Sequence, residues 1–119
     1  MLQSALKFRI AAFLIIFGLI GSKNLVDAAS LGSQANPLRM MFVPSGDSQV
    51  ILKGGQEIAR HLEKSTGFYF KTSVATSYAA VIEAMGAGKV DIGWLATFGY
   101  VLAHEKYGVD IILIVMRFG

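Results

Sequence analysis

No cysteine occurs among the 119 residues. That excludes a disulfide framework and the lipid-modified cysteine by which an exported lipoprotein is anchored. Histidine is nearly as scarce. His61 and His104 are the two in the chain, and His104-Glu105-Lys106 lacks the second histidine that a zinc-binding helix requires. Charge is thin at 16% of residues, with no basic run and no basic face interleaved with aromatics. The sequence pI of about 9.3 is therefore no sign of a nucleic-acid partner. No serine sits in a nucleophile elbow with a histidine and aspartate in order, and no pair of carboxylates converges on a predicted pocket. Nothing implies an enzyme, a metal or a cofactor.

One long apolar run is present, and it lies at the front. Lys7 and Arg9 precede an almost unbroken stretch from Ile10 to Ile20, followed by Val26-Asp27-Ala28-Ala29 with small residues suited to a signal peptidase. This order is that of a secretory signal peptide over residues 1–28. The run is shorter than the roughly 20 residues that span a bilayer, so the membrane enters only through this signal or through an uncleaved N-terminal anchor. Without residues 1–28 the chain keeps eight basic and seven acidic residues, a net charge of +1. A periplasmic location follows.

Residues 29–37, small and polar, read as a linker. From 38 onward apolar β-branched runs alternate with helical spacing. Leu38 to Val43 is a strand candidate stopped by Pro44. Ser45-Gly46-Asp47-Ser48 offers N-cap oxygens for a helix to about Lys64, with Ile51, Ile58 and Leu62 on its apolar side. Gly54-Gly55 within that helix costs about 1 kcal/mol per residue relative to alanine, which points to a kink or a close helix–sheet contact. Phe68 to Ala75 is a second strand. Ser77 caps a second helix ended by Gly86 and Gly88, Lys89 to Leu95 is a third strand, and Thr97 caps a third helix to about Tyr107. Val109 to Met116 is a fourth, near-continuous apolar strand of the kind covered on both faces. The order βαβαβαβ predicts an α/β fold with a mainly parallel sheet and flanking helices. The chain stops just after the last strand with no helix to cover it, so a truncated product or a fragment is expected.

Gly86-Ala87-Gly88-Lys89 is no phosphate loop. Glu83 stands where the first glycine belongs, Val90 stands where a Ser or Thr belongs, and the motif follows a helix rather than a strand. It reads as a helix C-cap. Asp91, beside Val90 and Ile92, needs a hydrogen-bonding or cationic partner if buried; its expected duty is structural, tying the preceding turn. Three strand-to-helix junctions remain: Pro44 to Ser48, Thr76 to Tyr78, and Trp94 to Thr97. Helix starts carry unpaired N–H groups and partial positive charge, and the hydroxyls of Ser45, Ser77, Tyr78 and Thr97 can add donors. In a parallel sheet all three junctions open on one edge, where ligands bind in open α/β folds. For any single serine, plain N-capping is the simpler reading. Asp47 counts against Ser45–Ser48 as an anion site, because its charge repels.

The segments Ser77-Tyr78-Ala79-Ala80-Val81-Ile82-Glu83-Ala84-Met85, Gly88-Lys89-Val90-Asp91-Ile92-Gly93-Trp94-Leu95 and Tyr100-Val101-Leu102-Ala103 resemble the phosphate/phosphite/phosphonate-binding (PhnD-type) proteins of ABC importers. Leu62-Glu63-Lys64-Ser65-Thr66-Gly67 is also similar to the end of their first helix. The resemblance covers residues 38–117. It implies two α/β lobes that close on an oxyanion without catalysis, a type II periplasmic-binding-protein fold of which residues 38–119 form an incomplete first lobe. Tyr78 matches a tyrosine directed at the ligand, and Trp94 and Thr97 fall in the segment lining the first-lobe side of the cleft. At positions 96 and 97, Ala and Thr replace the Gly-Pro or Gly-Asn common in relatives. The implied ligand set here is Ser45, Ser77, Tyr78, Trp94 and Thr97; the implied partners are a small oxyanion and a membrane permease. The second-lobe anion loop has no counterpart in this chain, so half a binding site is expected. The alternatives are the extracellular ligand-sensing domain of a signalling protein and a non-functional fragment.

Overall fold

The computed structural model describes residues 29–116; the proposed signal segment lies outside them. Six elements follow in order: β1 Leu38–Phe42, α1 Ser48–Thr66, β2 Phe70–Val74, α2 Tyr78–Gly86, β3 Ile92–Trp94 and α3 Thr97–Tyr107. The strands form one parallel sheet in the order β2-β1-β3. β1 is central. It pairs from Leu38↔Phe70 to Phe42↔Val74 on one side and from Met40↔Ile92 to Phe42↔Trp94 on the other. This is a partial lobe of the predicted α/β type.

Local chemistry accounts for the helix ends. Asp47 Oδ1 accepts from the N–H groups of Gln49 (2.9 Å) and Val50 (3.0 Å), so among the oxygens offered by residues 45–48 it is the aspartate that caps α1. Gly67 closes that helix in the left-handed conformation, φ 76°, where a side chain would be strained. Ser77 Oγ accepts from Ala80 N at 3.1 Å and caps α2 as expected. Thr97, expected as the cap of α3, is instead its first helical residue. Ala96 holds the cap position and offers no side-chain acceptor.

Packing centres on Met40, Phe42, Ala59, Val81, Ile82, Val90 and Ala103, all buried. Helix α1 buries Gly55 and Ala59, two small residues one turn apart that let it approach the sheet. A Cβ built on Gly55 would lie 2.5 Å from Cε2 of Phe42, so the close helix–sheet contact is real. Helices α2 and α3 pack on each other, and a side chain on Gly86 would overlap the Tyr107 ring. Glu83 accepts from Lys106 Nζ (2.7 Å) and from the Tyr107 hydroxyl, and these bonds hold the Glu83 carboxyl below its ordinary range.

Asp91 is structural, though its partner is not the preceding turn. Its Oδ2 accepts from Arg39 N and Nε, and its Oδ1 from Arg39 NH2, all at 2.8 Å. The guanidinium lowers the carboxyl pKa, and the backbone bond Asp91 N→Arg39 O (2.9 Å) closes the same pair. The third strand starts later than expected because the chain through Lys89 still belongs to the helix end: Lys89 N donates to Ala84 O at 2.8 Å.

Two segments differ from their sequence reading. Residues 29–37 form a tight turn docked on the start of β2 rather than a bare linker; Gly32 N donates to Asn36 O and Tyr69 N to Gly32 O, each at 2.8 Å. Val109 to Met116 forms no strand. Ile111 to Met116 are 50–79% exposed, and no strand among the described residues pairs with them. Aliphatic content signals a tendency to be buried, but a strand also needs a hydrogen-bonding neighbour, which residues 38–107 do not supply to this stretch.

Two substitutions test the packing. Gly55→Ala should destabilise the fold by about 1–2 kcal/mol, because overpacking against Phe42 outweighs the helix-propensity gain. Gly54→Ala, whose added methyl meets nothing within 4 Å, should stabilise by up to ~1 kcal/mol; urea midpoints of the two variants should move in opposite directions. Asp91→Asn should cost about 1–2 kcal/mol at neutral pH by removing charge-assisted bonds. Because the folded carboxyl titrates below its unfolded value of about 3.9, this contribution is complete above that value and is lost as pH falls through the lower, folded one. The gap between native and Asp91→Asn midpoints should therefore close on acidification below about pH 4.

Candidate functional site

Parallel pairing sends the carboxyl ends of all three strands to one edge, and the register makes them level: Phe42 is paired with both Val74 and Trp94. Ser45, Ser77 and Thr97 each lie three residues beyond that row. Two backbone bonds tie the row together past the strand ends, Ala75 N→Phe42 O at 2.9 Å and Val43 N→Trp94 O at 3.3 Å. Neighbouring strands stand about 4.8 Å apart, so the three junctions are adjacent. All five residues singled out from the sequence thus belong to one edge, whereas Asp91 is anchored at the opposite, amino-terminal edge.

The three helix starts are not equivalent. At β1–α1 the Asp47 carboxylate already occupies the first N–H groups, which leaves Ser45 exposed beside a fixed negative charge. At β2–α2 the Ser77 hydroxyl is committed to Ala80 N, while Tyr78, at the first helical position, is 46% exposed. At β3–α3 no side chain caps the helix. Among the described residues no acceptor meets the N–H groups of Thr97, Phe98 or Gly99; the first intrahelical bond there is Tyr100 N→Ala96 O at 3.0 Å. The Thr97 side chain is exposed and caps nothing. This is the start whose partial positive charge is least neutralised from within.

Trp94 closes the row. It is half-buried, and its ring stacks on Phe42 with centroids 5.3 Å apart and planes 16° from parallel. Its indole Nε1 is buried without a hydrogen-bond partner among the described residues. Phe42 escaped the sequence reading. Its signal was its place as the last aromatic of the strand before Pro44, but nothing in one sequence tells which residue of β3 will face it.

The edge is an open lip rather than an enclosed pocket. Two hollows among the described residues lie elsewhere. One, of about 350 Å³, sits between α2 and α3 against Ile82, Glu83, Leu102 and Lys106. The other, of about 480 Å³, sits between α1 and β2 against Ala59, Arg60, Glu63 and Lys71. Neither is lined by the five predicted residues. The lip carries no Lys or Arg in residues 43–48, 75–78 or 94–97. Any anion there would be met by N–H groups, hydroxyls and helix dipoles. No group of acidic and histidine side chains suited to a metal ion is found among the described residues.

Comparison with known proteins bears on the family and the fold. The profile of a family described as "ABC transporter, phosphonate, periplasmic substrate-binding protein" matches residues 40–119, more than half of the chain. The Phosphate-import protein PhnD of Mycolicibacterium smegmatis is 34% identical over 66 residues, which cover 56% of this chain and 21% of that protein. A crystal structure of a binding-protein component of an ABC phosphonate transporter from Pseudomonas aeruginosa superposes with a TM-score of 0.56 at 24% identity, over 60% of this chain and 24% of that one; it supports the fold. The matched part of the chain thus spans about a fifth of that relative and a quarter of that structure. Matched over two thirds of its length, the chain belongs to the phosphonate-type periplasmic substrate-binding protein family of ABC transporters.

Proposed function

We propose that this chain forms one lip of the cleft in a periplasmic solute-binding component that delivers a phosphorus oxyanion (a phosphonate, phosphite or phosphate) to an ABC permease in the membrane. The observation that carries the reading is the uncapped start of α3 beside a level row of strand ends. In this reading Thr97 contributes its hydroxyl and the adjoining N–H groups, Tyr78 its phenol, Ser77 and Ser45 the flanks, and Trp94 the wall. Residues 1–28 act as the export signal, residues 29–37 lead into the lobe and residues 38–119 belong to it. The names of the relatives, a phosphate importer and a phosphonate transporter component, support this ligand class. The absence of Lys and Arg from residues 43–48, 75–78 and 94–97 fits recognition by oriented neutral donors, which fix direction as well as charge.

An open lip binds weakly by itself. Ligand sites normally enclose most of the ligand's surface, and water on the uncovered side screens the helix-end interactions. Titration of the chain with methylphosphonate, phosphite and phosphate at constant ionic strength, followed by ¹⁵N–¹H spectra, should shift the amides of Tyr78, Thr97, Phe98 and Gly99 at millimolar ligand. Calorimetry should show no micromolar affinity. Shifts confined to other surfaces, or none at all, would refute the assignment of this edge as the ligand lip.

A further inference from the structure

We infer that Phe42 and Gly55 are positioning residues for Trp94, and that this three-part stack sets the wall of the ligand lip. The inference rests on the reading of that edge given above and adds the residues that shape it. Trp94 and Phe42 are the last residues of β3 and β1 and stand opposite each other in the register. Their rings are stacked at 5.3 Å and 16°. Behind them, Cε2, Cζ and Cδ2 of Phe42 occupy the space that a Cβ on Gly55 would enter, at 2.5, 2.9 and 3.1 Å. Helix α1 itself is seated by the buried Gly55 and Ala59. The indole is thus braced by a ring, and the ring by a helix backbone.

The indole N–H shows what does not hold the ring. Nε1 is buried and finds no acceptor among the described residues. A buried donor without a partner is unfavourable, so the ring is not held by its own hydrogen bond. Packing fixes its orientation, and the packing on the strand side is Phe42. A wall fixed by shape alone turns with its support: if Phe42 moves, the indole at the end of β3 moves, and the loop from Leu95 to Thr97 begins one residue later. Gly55 is the residue that allows Phe42 its place, although it lies on a different element from every group assigned to the lip.

The chain holds a single tryptophan, so its optical signals report this stack directly. The experiment compares the full chain with Phe42→Leu, Gly55→Ala and, as a control on the same helix, Gly54→Ala. Near-ultraviolet circular dichroism and acrylamide quenching follow the indole, far-ultraviolet dichroism verifies the fold, and ¹⁵N–¹H spectra follow the response of Thr97 to methylphosphonate. Leucine keeps the strand position apolar, and the glycine variant approaches from the helix side, so one folded variant of the two is enough. Both should lose near-ultraviolet amplitude and quench more readily. The methylphosphonate concentration needed for half the Thr97 shift should rise about fivefold, as expected for loss of an aromatic pair; Gly54→Ala should match the native chain. A native chain that responds to methylphosphonate while folded Phe42→Leu and Gly55→Ala respond equally, or keep the native indole signals, overturns the positioning role alone. A native chain blind to every oxyanion, with the indole signals still altered in the variants, overturns the ligand reading on which the inference rests.

Discussion

The structure depends above all on the parallel pairing of β1 with a strand on each side. Parallel strands must be joined by crossovers, so each connection carries a helix, and each helix begins just past the same sheet edge. The level register of Phe42 with Val74 and Trp94 turns a general property of parallel sheets into a particular one. All three helices begin past the same edge, at Ser48, Tyr78 and Thr97, within six residues of the strand ends. Had β3 slipped by one residue, Trp94 would turn to the other face of the sheet and the Phe42 stack would be lost.

The two edges of the sheet divide the work. At the amino-terminal edge a bidentate Arg39–Asp91 pair, with the Asp91 side chain only 18% exposed, ties the entry of β3 to β1. This is a place for charge, because both partners are satisfied: Asp91 receives three donors and Arg39 keeps part of its guanidinium in water. At the carboxyl-terminal edge the junction residues 43–48, 75–78 and 94–97 include no Lys or Arg, and their one carboxylate, Asp47, is turned onto its own helix. Register is held on one side so that the other can be left with unpaired donors. A helix start left uncapped costs stability, and α3 is the one helix among the described residues in that condition.

Much of this was legible from the residues. Strands and helices alternate as their apolar spacing predicts. Ser77 caps its helix, Gly86 to Gly88 end it, and the paired glycines of α1 mark a close approach to the sheet. These are local signals, or signals of a side chain's missing volume, and a single sequence carries them. What was not legible depends on neighbours. Ser45, Asp47 and Ser48 are all competent caps; the choice of Asp47 is made by backbone geometry. Thr97 reads as a cap because threonine is a good one, yet the chain turns one residue earlier and places Ala96 there. Asp91 declares that it needs a partner but not that the partner lies 52 residues away. Val109 to Met116 has the composition of a buried strand, but pairing is a property of two segments and composition speaks for one.

The unequal helix starts also bear on how such a lip could discriminate. Three identical N-termini would attract any anion from any direction. Here the β1–α1 start is closed by its own carboxylate and repels, the β2–α2 start is half occupied by Ser77, and the β3–α3 start is open. The edge is therefore electrostatically uneven, with the Asp47 carboxylate at the junction of the central strand and the open start at Thr97 on the strand beside it. β1 lies between β2 and β3, so the repelling start is at the centre and the two receptive ones flank it. Among the three starts the one at Thr97 is thus the least neutralised, and the one at Asp47 the most. The aspartate achieves this because a capping carboxylate brings negative charge as well as a hydrogen-bond acceptor to the helix start.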